Sequence, residues 1–218
     1  MAAETRARLL SAAEQLFAEH GVRGVSLREI TRSAGARNAI ALQYHFDDRA
    51  GVVRAILDKH LPAVDARRSA ILDEIEARST ADLRALAAAL VRPLAAKLSD
   101  PDGGREFLQI YADLVSRPAP TFAGSDRGGT LERWRAMVEP LLAADAARLH
   151  RRFTAILHAA LELARRARSA PHRDDRLFTS YLVDVIAAIL AAPVSEETRR
   201  LAAERDRARA GRKGGGRR

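Results

Sequence analysis

The chain has 218 residues, a formal net charge of +9, 47% apolar and 5% aromatic residues, and no cysteine. That length accommodates one small and one medium domain with a sizeable buried core, while the lack of cysteine excludes a disulfide framework, thiol catalysis and a Cys-based zinc site. The charge is unevenly placed: residues 205–218 hold seven basic residues against one acid, so bulk charge says less about a nucleic-acid partner than the local set Arg28, Arg32, Arg37 and Arg49. Alanine, leucine and arginine dominate, glycine and proline fall between periodic segments, and no alternating strand pattern occurs, which predicts an all-α fold.

Residues 4–20 predict an amphipathic helix with Leu9, Leu10, Ala13, Leu16 and Phe17 on its apolar stripe. Gly21 and Gly24 bracket the turn that follows. The stretch 26–49, SLREITRSAGARNAIALQYHFDDR, predicts two short helices joined by a tight turn. Ser26 and Glu29 have capping-box spacing, Leu27, Ile30 and Ala34 share a face, and Gly35 supplies a left-handed helix stop. In a second helix from about Asn38, Ile40 or Ala41, Leu42 and Phe46 can turn inward. Arg37, Asn38, Gln43, Tyr44 and His45 are then left outside. Arg can bond guanine bidentately, Asn and Gln can do the same to adenine, and Tyr and His can donate to phosphates.

Asp47 or Asp48 can cap the next helix, which carries Val52, Val53, Ile56 and Leu57 and runs to about Ile75. Pro62 is expected to kink it or to start a new helix after Leu61. A helix from Thr80 follows, with Leu83, Leu86, Leu90, Leu94 and Leu98 on one side, then a break at SDPDGG (99–104). Phe107, Leu108, Tyr111 and Leu114 or Val115 mark a helix over 105–116. The stretch 117–129 reads as a loop. Leu131–Leu142 reads as helix interrupted at Pro140. A long helix is expected over 143–168, and a strongly apolar one, capped by Asp174 or Asp175, runs to about Ala192. Apolar on more than one side, that last helix needs more cover than one neighbour gives. The helices at 143–168 and 174–192 are therefore expected to pair with two-fold mates in a four-helix interface.

Two local patterns carry a resemblance. AAEQLFAEHG at 12–21, followed by the 26–49 segment ending Tyr44, His45, Phe46 and then a basic Arg49, resembles the DNA-binding domain of tetracycline-repressor-type (TetR/AcrR) transcriptional regulators. The resemblance is specific over roughly the first 60 residues. Three departures stand out: Gly35–Phe46 is one residue longer than the usual form, Gln43 replaces a common Tyr, and Arg49 replaces a Lys. The resemblance implies an N-terminal three-helix helix-turn-helix domain over 1–47 and a helical effector-binding and dimerisation domain over 48–195. A basic tail over 196–218 is expected to be frayed helix and then disorder.

Under this reading Ser26 and Arg28 hold phosphates from one side and Tyr44, His45 and Arg49 from the other, while Arg37, Asn38 and Gln43 meet base edges. The implied protein is a homodimeric repressor, released from a palindromic double-stranded DNA operator by a small, largely apolar effector. Phe107, Tyr111, Phe122, Trp134, Met137 and Phe153 are candidates to line its pocket, although aromatic sets of this kind are commonly plain core. Phe153, Leu157, Leu161, Phe178, Tyr181, Leu182, Val185 and Ile189 are the candidate dimer residues.

Chemistry has little support. GGR at 103–105 and GGGRR at 214–218 lack the strand and helix context of phosphate loops. No paired metal-ligand spacing occurs, helix capping accounts for Asp174 and Asp175 better than a site with His172, and His150 and His158 read as solvated or core-edge residues. No cofactor or metal is expected. No secretory signal or apolar run of 18 residues is present, so the default expectation is a cytoplasmic chain without membrane contact. The other readings are a helical enzyme or ligand carrier with an N-terminal docking module, and a nonspecific DNA-coating protein driven by the tail.

Overall fold

The periodic apolar segments become helices and nothing else in the computed structural model of the chain, which describes residues 2–36, 41–79, 81–117 and 129–214. Among the described residues there are eleven α-helices and two 3-10 turns. Helix α1 (Ala2–His20) buries Leu9, Ala13 and Phe17 and packs on α2 (Leu27–Ser33) and α3 (Ala41–Phe46), which also touch each other. These three helices form the N-terminal head.

Helix α4 (Arg49–Ala77) then runs unbroken for 29 residues, about 43 Å at 1.5 Å per residue. The expected restart after Leu61 does not occur; the helix continues through Pro62. Pro62 and Asp58, the residue whose carbonyl it leaves without a donor, are both exposed, so that carbonyl faces water and its lost hydrogen bond is replaced by solvent.

Helix α5 (Leu83–Ala95) starts where the Asp82 carboxylate accepts from the Ala85 N–H at 2.6 Å; Thr80, the expected start, lies outside the described residues. It is buried along most of its length and passes into a 3-10 turn, Ala96–Ser99. Gly103 precedes α6 (Gly104–Val115) at φ 79°, and a Cβ there would lie 2.6 Å from Glu14 Oε2, so both backbone and space require glycine. The chain continues through α7 (Thr130–Val138) and a 3-10 turn, Glu139–Leu141.

The expected single helix over 143–168 is two, α8 (Ala144–Arg148) and α9 (Arg151–Arg168), divided at His150 with φ 58°. The left-handed residue re-aims the chain so that Arg151 Nη1 donates to the carbonyls of Ile189 and Ala192 at 2.7 and 2.8 Å. Those carbonyls lie at the end of α10 (Arg176–Ala191), where a helix leaves acceptors unsatisfied.

Within the segment expected as frayed helix and then disorder, the described residues form α11 (Glu196–Gly214). Ser195 Oγ accepts from the Thr198 N–H, Glu196 and Glu197 occupy the first turn, and Arg199 and Arg200 pair with Asp145 and Glu204. Caps, acids at the positive end of the helix dipole and i,i+4 pairs supply what its weak apolar content does not. Residues 215–218 lie outside the described residues. No single helix among the described residues is long and apolar enough to cross a membrane.

The body is built by α6 on α9, α10 on α5 and α9, and α4 on α5. Its centre holds Trp134, fully buried, with Nε1 donating to the Leu86 carbonyl at 2.7 Å. Head and body are joined by a buried polar network. Glu14 of α1 is 2% exposed; its Oε2 meets Lys59 Nζ at 3.0 Å and its Oε1 meets His60 Nε2 at 3.0 Å. Lys97 Nζ lies 3.1 Å from His60 Nδ1 and 2.8 Å from Asp100 Oδ2. An ammonium has donors only, so His60 Nδ1 accepts and Nε2 carries the proton that it donates to Glu14. Lys59 also reaches Asp102 at 2.8 Å.

Removing the Glu14 carboxylate leaves the buried His60 Nε2 without its acceptor, while Lys59, partly exposed, keeps Asp102. Glu14→Ala is expected to lower unfolding stability by about 1–3 kcal/mol, read from urea denaturation. The Lys97 ammonium, with the Asp102 N–H, holds the Asp100 carboxyl below its ordinary value against an opposing effect of burial. A depressed folded pKa means that this contribution is complete above the unfolded value of about 3.9 and is lost as pH falls through the folded one. Asp100→Asn should therefore narrow the stability gap to wild type on going from pH 6 to pH 3, measured by thermal unfolding at both.

Candidate nucleic-acid interface

The head is held in shape by local chemistry. Ser26 Oγ accepts from the Glu29 N–H at 3.2 Å and Glu29 Oε2 accepts from the Ser26 N–H at 2.6 Å, completing the capping box. Hydrogen bonding to the Ser26 side chain, then to its backbone, holds the Glu29 carboxyl below its usual value. At the other end of α2 the Ala36 N–H reaches the Thr31 carbonyl and the Gly35 N–H reaches that of Arg32, with Gly35 at φ 63°. That pair of bonds is a Schellman stop. Arg8 of α1 adds a third fastening, donating to the Ala34 carbonyl at 2.9 Å.

Helix α3 splits its faces sharply. Leu42 and Phe46 are 1% and 5% exposed, whereas Tyr44 is 81% exposed and Gln43 is exposed beside it. His45 is half-buried, with its ring against those of Tyr44 and Phe46. Arg6 of α1 stands over the Phe46 ring at 5.0 Å. After α3 the chain turns through Asp47 at φ 61°, and Asp48 Oδ1 caps α4 by accepting from the Gly51 N–H at 2.8 Å. A Cβ on Gly51 would lie 1.8 Å from the Phe46 carbonyl oxygen. The α3–α4 corner can therefore close only over glycine.

Of the residues expected at phosphates or bases, Ser26, Arg28, Gln43 and Tyr44 are exposed and His45 is half-buried. Arg37 and Asn38 lie outside the described residues, and described helix begins at Ala41. Arg49 is different. Its Nη2 donates to the Val25 carbonyl at 2.8 Å, and its Nε is buried without a partner, so the guanidinium ties α4 to the α1–α2 corner. The contacts of Arg49, Arg6 and Arg8 are not legible from spacing, because each acts across the fold on a partner distant in sequence.

The other expected sets are only partly brought together. Phe107 is fully buried and stacks on His60 at 4.7 Å, and Trp134 is core. Met137 is half-buried, Phe153 is exposed on α9, and Phe122 lies outside the described residues. Tyr111, alone of the five described candidates, lines the large cleft beside α4. On the expected dimer face Phe153, Leu161 and Tyr181 are exposed and Leu157, Phe178, Val185 and Ile189 half-buried. Leu182 is 3% exposed and packs inside its own chain; Leu177, not in the expected set, is 84% exposed.

A family profile described as "Bacterial regulatory proteins, tetR family" matches residues 9–56, which are the head and the start of α4. Over these residues the chain is similar to the DNA-binding head of TetR-family regulators. The HTH-type transcriptional regulator TtgR of Pseudomonas putida is 38% identical over 77 residues, 34% of this chain and 36% of that protein. The HTH-type transcriptional repressor BepR of Brucella suis biovar 1 is 41% identical over 58 residues, 27% of each chain. The matched stretch thus spans about a third of these curated relatives or less. The crystal structure of a probable transcriptional regulatory protein, RHA5900, superposes with a TM-score of 0.51 at 24% identity, covering 87% of this chain and 99% of that one. It shows that the shared fold continues beyond the TetR head into the helical body.

Loss of the Arg49 clamp should act on stability. Arg49→Ala is expected to cost about 1–3 kcal/mol, the range for breaking a partly buried charged hydrogen bond, read as a fall in the midpoint of thermal unfolding.

Proposed function

We propose that this chain is a regulator of the TetR type, a homodimeric, sequence-specific DNA-binding repressor that a small molecule releases from its operator. The observation that carries the reading is the division of α3: its apolar residues, Leu42 and Phe46, anchor it on the head while Gln43 and Tyr44 stand in solvent. A helix so presented fits a major groove. Gln43, with Arg37 and Asn38, reads base edges; Ser26 and Arg28 hold phosphates on one side, Tyr44 and His45 on the other. Such a chain performs no catalysis of its own and works in the cytoplasm.

The dimer forms through α9 and α10. Phe153 and Leu161 on α9 and Leu177 and Tyr181 on α10 are exposed by 42%, 46%, 84% and 67%, and large apolar residues clustered in this way mark a surface that a partner covers. Two-fold pairing presents two α3 helices to successive grooves of an inverted repeat.

Selection of bound sequences from a random double-stranded pool at near-physiological salt is expected to return one inverted repeat, with light scattering giving a dimer. Recovery of no preferred sequence would sink the repressor reading and favour a carrier or enzyme with a docking head. Gln43→Ala should relax preference at one position per half-site. Arg28→Ala should weaken all sequences alike and lower the salt-dependence slope by about 1 per half-site.

A further inference from the structure

A cleft of about 970 Å³ runs along the first two-thirds of α4, at the upper end of the roughly 300–1,000 Å³ usual for small-molecule sites. Its walls come from both parts of the molecule: Val22 and Arg23 of the α1–α2 corner with Asp48, Arg49, Ala50 and Val53 on one side, and Leu114, Arg117 and Leu131 of the body on the other. The middle is apolar, with Leu57, Leu61, Pro62, Tyr111 and Leu114. Five arginines and three aspartates line it, an excess of cation in a largely hydrocarbon trough.

One of those arginines is poised to bind something. Arg68 is 3% exposed. Its Nη1 donates to Asp65 Oδ1 at 3.0 Å and to Thr130 Oγ1 at 2.9 Å, while its Nε is buried with no partner. A buried guanidinium edge left without an acceptor costs stability unless a ligand supplies one. The free edge is the side-on fork of Nε and Nη2, whose spacing matches the two oxygens of a carboxylate. Asp65 already balances one charge on Arg68, but Arg49, also lining the cleft, has a carbonyl rather than a carboxylate as its hydrogen-bond acceptor, so the trough as a whole favours an anion.

We infer that this cleft is the effector site and that it takes an apolar-bodied monocarboxylate, its carboxylate on the Arg68 edge and its hydrocarbon along Leu57, Leu61 and Leu114. A ligand seated there touches the head at Val22 and the body at Leu131 at once. Its binding free energy therefore depends on how the head is set against α4, which couples ligand to DNA affinity in both directions. This consequence rests on the repressor reading; the ligand site itself does not.

The test is calorimetric titration of the DNA-free full chain with decanoate, 4-phenylbutyrate and 2-naphthoate, each against its methyl ester. At least one acid should bind saturably at one site per chain, roughly 10–100-fold tighter than its ester, the range for losing a charge-assisted hydrogen bond. Arg68→Gln should bring the acid down to the level of the ester and leave the ester unchanged. Because Arg68→Gln also strips Asp65 and Thr130 of a donor and can unfold the chain, Leu61→Trp serves as a second variant. It fills the trough without touching the charge and should weaken acid and ester alike at unaltered unfolding temperature. No binding by any acid, equal binding of acid and ester, or acid binding that survives either folded variant would overturn the site. Acid binding that shows all these dependences in a chain without sequence preference for DNA would uphold the site and reject the repressor reading instead.

Discussion

The carboxylate of Glu14 is the point at which the N-terminal head is fastened to the rest of the chain. It is buried on α1 with one oxygen on Lys59 and the other on His60, and His60 passes the connection through its second nitrogen to Lys97 and so to Asp100. Charges so far from water are tolerable only where every donor meets an acceptor. The network therefore fixes geometry more than it adds net stability: α1, α4 and the α5–α6 connection must sit within hydrogen-bond distance of one another or leave an ion unpaired. Gly103 belongs to the same constraint, since any side chain there would press on Glu14.

Around that fastening α4 serves as the shared element. Its first turns close the head, through the Asp48 cap, the Gly51 approach to Phe46 and the Arg49 bond to Val25. Its last turns belong to the body, where Arg133 of α7 bridges Asp73 and Glu76 at 2.6 Å each. A continuous helix joins the two ends, and the exposed position of Pro62 is what permits continuity. The cleft lies along this same rod, between head and body.

The readable parts of the interface were those held by neighbours in sequence. Ser26 and Glu29 interact across three residues, the stop at Gly35 depends on glycine, and the apolar positions Leu42 and Phe46 follow helical spacing; each could be inferred before any coordinates. Arg49 could not. An arginine at that position is equally suited to a phosphate and to a carbonyl, and only the approach of the α1–α2 corner decides between them. The aromatic candidates illustrate the same point: Phe107 and Trp134 satisfy any pattern for a cavity wall, and only the fold packs them against His60 and Leu86, which lie 47 and 48 residues away in sequence.

The sequence by itself determined that the chain is helical, where most helices begin and end, and that residues 1–47 carry a helix-turn-helix pattern. Helical periodicity, caps and glycine stops are short-range physics, complete within a few residues. The tertiary structure alone decided that α4 is unbroken, that residues 143–168 form two helices, that Leu182 faces inward and Leu177 outward, and that Arg68 keeps a free edge beside a cleft. Each of those outcomes depends on what another helix places opposite the residue, and crossing geometry is not encoded in the periodicity of either helix alone.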